Sequence, residues 1–212
     1  MNRFEHVSAT SIDEVFLYMQ NGWQTRLIAG GTDLLHEMKQ GIEKPLRLID
    51  IKGVAGLGEI VARDGAVGIG ALTTLDEIEK NQLIAERFPV LQQAASQAAS
   101  PQLRNMATIA GNICQRPRCW YYRNPEFPCL RKGGTTCFAA GGENAYHAIL
   151  DGGPCHIVCP SDMAPALMAL GASMVIARPG GETRTISLDE FFVGPKTDPH
   201  RENVLAADEM II

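Results

Sequence analysis

The sequence predicts an α+β chain in two subdomains: a small β/α unit over residues 1–53 and a larger mixed unit over residues 54–212. Three observations predict this. The first fifty residues alternate short apolar strands with amphipathic helices, the pattern of a small parallel sheet. Beyond Gly53, short strands and helices follow one another in mixed order. A stretch at about 115–155, rich in Cys, Arg, Gly, Pro and aromatic residues, fits neither rhythm and reads as an insertion.

The elements follow in order. Ser11 and Glu14 have capping-box spacing, and Ile12, Val15, Phe16 and Met19 recur at helical spacing, with Asn21-Gly22 as the stop. Arg26 to Ala29 and Leu46 to Ile51 read as strands, with a helix from Leu34 to Gln40 between them. Leu57 to Ile60 and Ala66 to Ile69 read as strands split by Arg63-Asp64-Gly65. Thr74 with Glu77 repeats the capping-box spacing. Pro89 to Ala99 reads as a helix ended by Pro101. Ser161 is placed to cap a helix running to Leu170, and a hairpin around Pro179-Gly180-Gly181 pairs Ala172 to Ala177 with Thr183 to Ser187.

Composition narrows the function classes. The net charge is −5, against the basic balance of a general nucleic-acid binder. No apolar run approaches the roughly 20 residues of a membrane span, and Met1 to Thr10 lacks the layout of a signal peptide. By its own sequence the chain reads as cytoplasmic. Its six cysteines are Cys114, Cys119, Cys129, Cys137, Cys155 and Cys159. Without an export signal, such a cluster points to a metal or cluster site before a disulfide framework. A core-less segment of this length has to be ordered by something else.

Two glycine motifs carry the ligand chemistry. In Leu27-Ile28-Ala29-Gly30-Gly31-Thr32-Asp33-Leu34, paired glycines follow a strand and precede a helix. Glycine permits positive φ and close backbone approach, and successive N–H groups in such a turn form an anion cradle. The competing reading is an ordinary turn with Asp33 as a helix cap. In Thr108-Ile109-Ala110-Gly111-Asn112, Gly111 admits a ligand while Thr108 and Asn112 supply hydrogen-bonding groups; alone it reads equally as a capped turn.

Four segments occur in a fixed order: Ala29 to Leu34, Ile69 to Thr74, Arg104 to Asn112, and Ser161-Asp162-Met163-Ala164. In that order they resemble the FAD-binding subunits of the xanthine oxidase family of molybdenum hydroxylases, over essentially the whole chain. The resemblance implies the two-subdomain FAD fold shared with vanillyl-alcohol oxidase. It implies FAD contacts from Leu27, Ile28, Ala29, Gly30, Gly31, Thr32, Asp33, Leu34 and Leu35 at the pyrophosphate, from Thr108, Gly111 and Asn112 near the flavin, and from Asp162. Ala110 stands where the family usually has glycine.

Arg118-Cys119-Trp120-Tyr121-Tyr122, Phe127-Pro128-Cys129, Gly141-Gly142-Glu143-Asn144 and Cys155 before Pro160-Ser161-Asp162 are similar to the branch of bacterial periplasmic aldehyde oxidoreductases. The 4-hydroxybenzoyl-CoA reductases share the cysteine insertion. That resemblance implies a [4Fe–4S] cluster on Cys119, Cys129, Cys137 and Cys155, with Cys114 and Cys159 as spare thiols. Neither usual ferredoxin spacing is present. Zinc is the competing metal, although only Cys114/Cys119 and Cys155/Cys159 come near its paired spacing. Arg116, Arg118, Arg123, Arg131 and Lys132 read as offsetting cluster charge or as a basic face. His147 reads as a surface group, and Trp120, Tyr121 and Tyr122 as packing within the segment.

The resemblance implies an electron-transfer subunit with no catalytic residue for the organic substrate. Its partners would be a large molybdenum-cofactor subunit and a small subunit with [2Fe–2S] clusters, in a heterotrimer or its dimer, passing electrons through FAD to an external acceptor. Export on a partner's signal would make the complex periplasmic. A stand-alone flavin oxidase and a zinc-stabilised binding module are the other readings. The ending Met210-Ile211-Ile212 reads as a strand just beginning, so the family's further C-terminal domain is expected on another chain or a missing part.

Overall fold

A computed structural model describes residues 1–20, 24–63 and 65–212. Its first sheet is fully parallel and orders β1 (Glu5–Ser8), β3 (Arg47–Asp50) and β2 (Thr25–Ile28). Periodicity points to β2 and β3 but misses β1, whose Glu5-His6-Val7-Ser8 sequence has one apolar residue. Two helices connect the strands, α1 (Ile12–Met19) and α2 (Leu34–Gln40). Ser11 caps α1, its Oγ accepting from Glu14 N–H at 3.2 Å. The reciprocal arm differs from the expected box, because the Glu14 carboxylate accepts from the N–H and hydroxyl of Thr10 instead. The predicted stop at Asn21-Gly22 and the turn residue Asp64 lie outside the described residues.

The second half opens with an antiparallel pair, β4 (Ile60–Arg63) and β5 (Ala66–Ile69). The first of these begins where its predicted strand ends. Leu57 is instead a buried core residue, and its carbonyl accepts from Leu72 N–H. Then come α3 (Leu75–Lys80), α4 (Gln82–Arg87) and α5 (Pro89–Gln97). The Thr74/Glu77 capping box on α3 is complete in both directions. Pro101 does not end α5. It is the first residue of α6 (Pro101–Arg104), where its missing N–H costs nothing, and Ser100 caps that helix.

The helix α7 (Ile109–Ile113) leads into the cysteine-rich segment. After it come α9 (Met163–Ala169) and a sheet ordered β7 (Thr183–Ser187), β6 (Ser173–Ala177), β8 (Met210–Ile211), with α10 (Leu188–Phe191) following β7. The predicted hairpin is therefore present, and the final apolar residues form its third strand. The larger core gathers Leu75, Ile78, Ile84, Leu91, Met163, Ile176 and Phe191. Each such side chain stabilises the fold by about 1.5–3 kcal/mol. A second core joins Val15, Phe16 and Ile49 of the first half to Ala177 and Met210 of the second. That shared core fixes the glycine loop after β2 against the rest of the chain.

The cysteine-rich segment has one α-helical turn, α8 (Trp120–Arg123), and short 3-10 turns. Aromatic edges replace an aliphatic core: Tyr121 and Phe127 lie 5.1 Å apart, and Phe127 and Phe138 5.2 Å apart. Buried and partly buried ion pairs then bolt the segment to its surroundings. Arg116 reaches Glu43 and Glu202, Arg131 reaches Glu202, and Arg123 reaches Asp33 and Glu37.

Candidate cofactor-binding site

A cavity of about 530 Å³ opens where the loop after β2 meets the start of α7. That is within the size range of small-molecule sites. Leu27 to Leu34 line one side, and Ala71, Leu72, Thr108, Ala110 and Gly111 line another. The sequence folds this way because of its glycines. Gly31 has φ +69°, a conformation that favours glycine. A Cβ on Gly30 would lie 1.7 Å from the Met106 carbonyl oxygen. The close backbone approach expected at Gly30 is thus made, but to the neighbouring motif, so the two glycine segments pack directly on each other.

The loop leaves its donors free. Among the described residues, none accepts a hydrogen bond from the backbone N–H of Gly30, Gly31, Thr32, Asp33 or Leu34. Successive unpaired N–H groups beside an open cavity form an anion cradle, and they fit the pyrophosphate of a dinucleotide such as FAD. The second motif behaves differently. Ile109 and Ala110 donate to the carbonyls of Thr73 and Ala71, and Gly111 donates to Thr108 Oγ1. This side therefore offers a smooth glycine wall rather than donors.

Several expected ligand residues turn away from the cavity. Leu35, Asn112 and Asp162 are not among its lining residues. Leu35 packs instead with Leu34 against the core of Ile28, Met38 and Leu48. Asn112 Oδ1 accepts from Ser161 Oγ at 2.7 Å and from Met163 N–H at 3.2 Å, while its Nδ2 meets Asp162 at 3.4 Å. Its side chain thus holds the start of α9. The Ser161 hydroxyl in turn accepts from Ala164 N–H, the predicted cap. Asp33 lines the cavity, but it makes no cap bond to α2. Its carboxylate instead accepts from Arg116 N–H and Arg123 Nη2, each at 2.9 Å.

Sequence reasoning missed the third wall. His200, Arg201, Asn203, Leu205 and Ala206 line the cavity beside Glu209 and Met210. Their stretch carries no motif. Glu209 holds its Ala206 end, accepting from Ala206 N–H as well as from Arg178 and from Arg184 twice, and Arg131 of the cysteine-rich segment holds the other end by donating to the Pro199 and Arg201 carbonyls. The Arg184 guanidinium above all holds this carboxyl down at about 2.

A second, small cavity lies inside the cysteine-rich segment. Cys119, Cys129, Cys137 and Cys155 all line it, with Tyr121, Tyr122, Phe138 and Arg131. Cys114 lines the large cavity instead, where burial pushes its thiol up to about 12. Cys159 is exposed. Burial raises the Cys119 and Cys155 thiols, opposed at Cys119 by N–H groups of Tyr122 and Tyr121. Lys132 faces Cys129 and Cys119. His147 is buried rather than a surface group, with Nε2 3.1 Å from Cys119 Sγ. Among the described residues, no three His, Cys, Asp or Glu side chains converge on one point as ligands of a single ion.

The two cavities are joined. The Tyr122 ring lines the small one, its hydroxyl donates to Glu37 at 3.1 Å, and Glu37 lines the large one. Burial raises the Glu37 carboxyl to about 7, against the pull of Arg123 and Arg116.

Known proteins match this architecture. A family model described as the FAD binding domain in molybdopterin dehydrogenase matches residues 2–212. The aldehyde oxidoreductase FAD-binding subunit PaoB of Escherichia coli K12 is 37% identical over 215 residues, covering 100% of this chain and 67% of that protein. The nicotinate dehydrogenase FAD-subunit of Eubacterium barkeri is 30% identical, covering 100% of this chain and 57% of that one. The solved carbon monoxide dehydrogenase of Hydrogenophaga pseudoflava superposes with a TM-score of 0.72 at 26% identity, over 99% of this chain and 57% of its own. Quinoline 2-oxidoreductase of Pseudomonas putida 86 shares the fold, with a TM-score of 0.71 at 23% identity, over 99% of this chain and 57% of its own. The chain thus spans 57–67% of the length of these relatives. Matched along its length, it belongs to the FAD-binding domains of the molybdopterin dehydrogenases, the FAD subunits of the xanthine oxidase family of molybdenum hydroxylases.

Proposed function

We propose that this chain is the FAD- and [4Fe–4S]-binding electron-transfer component of a multi-subunit molybdenum-dependent oxidoreductase of the aldehyde oxidoreductase type. One observation carries the reading: a donor-lined cavity and a four-cysteine cavity are tied together by side-chain bridges, Tyr122 to Glu37 and Arg131 to Glu202. Likeness to the Escherichia coli aldehyde oxidoreductase subunit supports the reaction class.

Each residue set has a stated task. The N–H groups of Gly30 to Leu34 would hold the pyrophosphate, and Gly111 lets the ligand lie against α7. FAD supplies exchange between single-electron and paired-electron carriers. Cys119, Cys129, Cys137 and Cys155 would hold the cluster, which supplies a one-electron store. Arg131 beside Cys155 and Lys132 beside Cys129 offset the thiolates' negative charge. Four thiols around one cavity match in number the four thiolates that a [4Fe–4S] cluster needs. In this reading the organic substrate is oxidised at the molybdenum centre of a large partner. Electrons reach this chain through the [2Fe–2S] centres of a small partner and leave to an external acceptor.

The test is cofactor analysis of the native complex. FAD should be present at one per chain, and Cys129→Ser should lower iron by about four atoms per chain while the partners keep theirs. A complex without FAD would refute the proposal, and zinc in place of the lost iron would refute the cluster.

A further inference from the structure

We propose that Arg123 and Tyr122 are positioning residues for the flavin loop: they clamp Asp33 and Glu37 to the cysteine-rich segment, so that iron retention and FAD retention are one linked equilibrium. This rests on the reading above, in which FAD fills the large cavity and a cluster fills the small one.

The bond pattern is specific. The Arg123 guanidinium donates through Nε to the Pro117 carbonyl at 2.8 Å, and through Nη2 to both the Arg116 carbonyl and Asp33 Oδ1 at 2.9 Å. Its Nη1 stands 3.5 Å from Glu37. One side chain, 7% exposed, therefore holds the backbone of its own segment and two carboxylates of the flavin loop and α2. Tyr122 adds the bond from the thiol cavity to Glu37. The Arg116 N–H takes the other oxygen of Asp33.

The physical consequence follows from what orders the segment. Residues 115–155 have one four-residue α-helix and no named strand among the described residues. Arg123 and Tyr122 keep their places because the chain around the four thiols keeps its shape. Release of the thiols frees both side chains. Asp33 and Glu37 are then left largely buried without their counter-charge or donor, which is costly. They turn toward water and carry the Gly30–Leu34 donors away from the ligand. Such coupling is reciprocal by linkage, so bound FAD also retains iron. Coupled sites of this kind differ by about 5–150-fold in affinity.

The experiment uses the native complex, with free FAD fluorescence after dilution and iron content as separate readouts. Stripping iron with ferricyanide and EDTA should weaken FAD binding at least about tenfold. Arg123→Ala should weaken it and reduce the further loss caused by iron removal. Arg123→Lys should recover part of the affinity through Asp33. Tyr122→Phe keeps the ring on the thiol cavity but deletes the bond to Glu37; it should retain iron and bind FAD more weakly. FAD affinity unchanged by iron loss overturns the linkage. FAD affinity unchanged in both Arg123→Ala and Tyr122→Phe overturns the clamp, and Tyr122→Phe alone decides if Arg123→Ala does not fold. If the native complex holds no cluster iron on this chain, the cluster reading fails, and the two variants still decide the clamp by flavin affinity.

Discussion

Replacing Glu37 by Gln should remove a defined pH dependence of stability. Glu37 is 2% exposed and faces Tyr122, Arg123, Arg116, Asp33 and Glu43. Burial raises its carboxyl from 4.5 to about 7, with Arg123 and Arg116 opposing, and Asp33 and Glu43 reinforcing. Between those two values the folded chain holds a proton that the unfolded chain has released. Stability from this group is therefore full below pH 4.5 and declines as pH rises through about 7. At 1.36 kcal/mol per pKa unit, the difference amounts to about 3 kcal/mol. Gln keeps an acceptor for the Tyr122 hydroxyl and has no proton to lose. Denaturation midpoints of wild type and Glu37→Gln, followed from pH 5 to pH 8.5 at fixed salt and with FAD saturating, read the effect. The variant should gain on the wild type as pH rises, ending about 2–3 kcal/mol ahead of its relative position at pH 5. Histidines titrating in the same range are common to both proteins and cancel in the difference. Parallel pH profiles would show that Glu37 is ionised throughout, and the reasoning would fail.

Other outcomes follow from the same geometry. Gly111→Ala places a methyl near only Thr108 Oγ1, 3.0 Å away. It should leave stability within about 1 kcal/mol yet weaken FAD binding, as read by flavin fluorescence. Gly30→Ala drives a methyl into the Met106 carbonyl and should cost about 3 kcal/mol in urea unfolding besides losing flavin. Glu209→Gln loosens the third wall. Because Arg178 and Arg184 are partly exposed, the loss at pH 7 should be about 1–2 kcal/mol. The gap should close as pH falls from 4.5 toward 2, because the depressed carboxyl stabilises only where the unfolded one is ionised. Ser at Cys119, Cys129, Cys137 or Cys155 should lose cluster iron, whereas Ser at Cys114 or Cys159 should keep it; a Cys159 variant without iron beside a Cys155 variant with it would reverse the assignment.

Local chemistry determined much of this protein from sequence alone. Strand-then-helix alternation located β2, α2 and β3, the Thr74/Glu77 box located α3, and glycine pairs marked the loop at Gly30 and Gly31, because these features act over a few residues. Motif order likewise pointed to the family. Tertiary structure decided the rest. Strand β1 exists because β3 pairs with it, not because Glu5 to Ser8 is apolar. Gly30 is close to another backbone fifty or more residues away in sequence, which no local pattern reveals. Asn112, Leu35 and Asp162 sit in the right motifs but spend their groups on α9 and the core. The wall from His200 to Ala206 is held at one end by Arg131 and at the other by the buried carboxylate of Glu209. Most of all, the pairing of Arg123 with Asp33 and Glu37 depends on two distant segments meeting. Long-range ion pairs of this kind arise from the packing of the whole chain, and sequence spacing carries no trace of them.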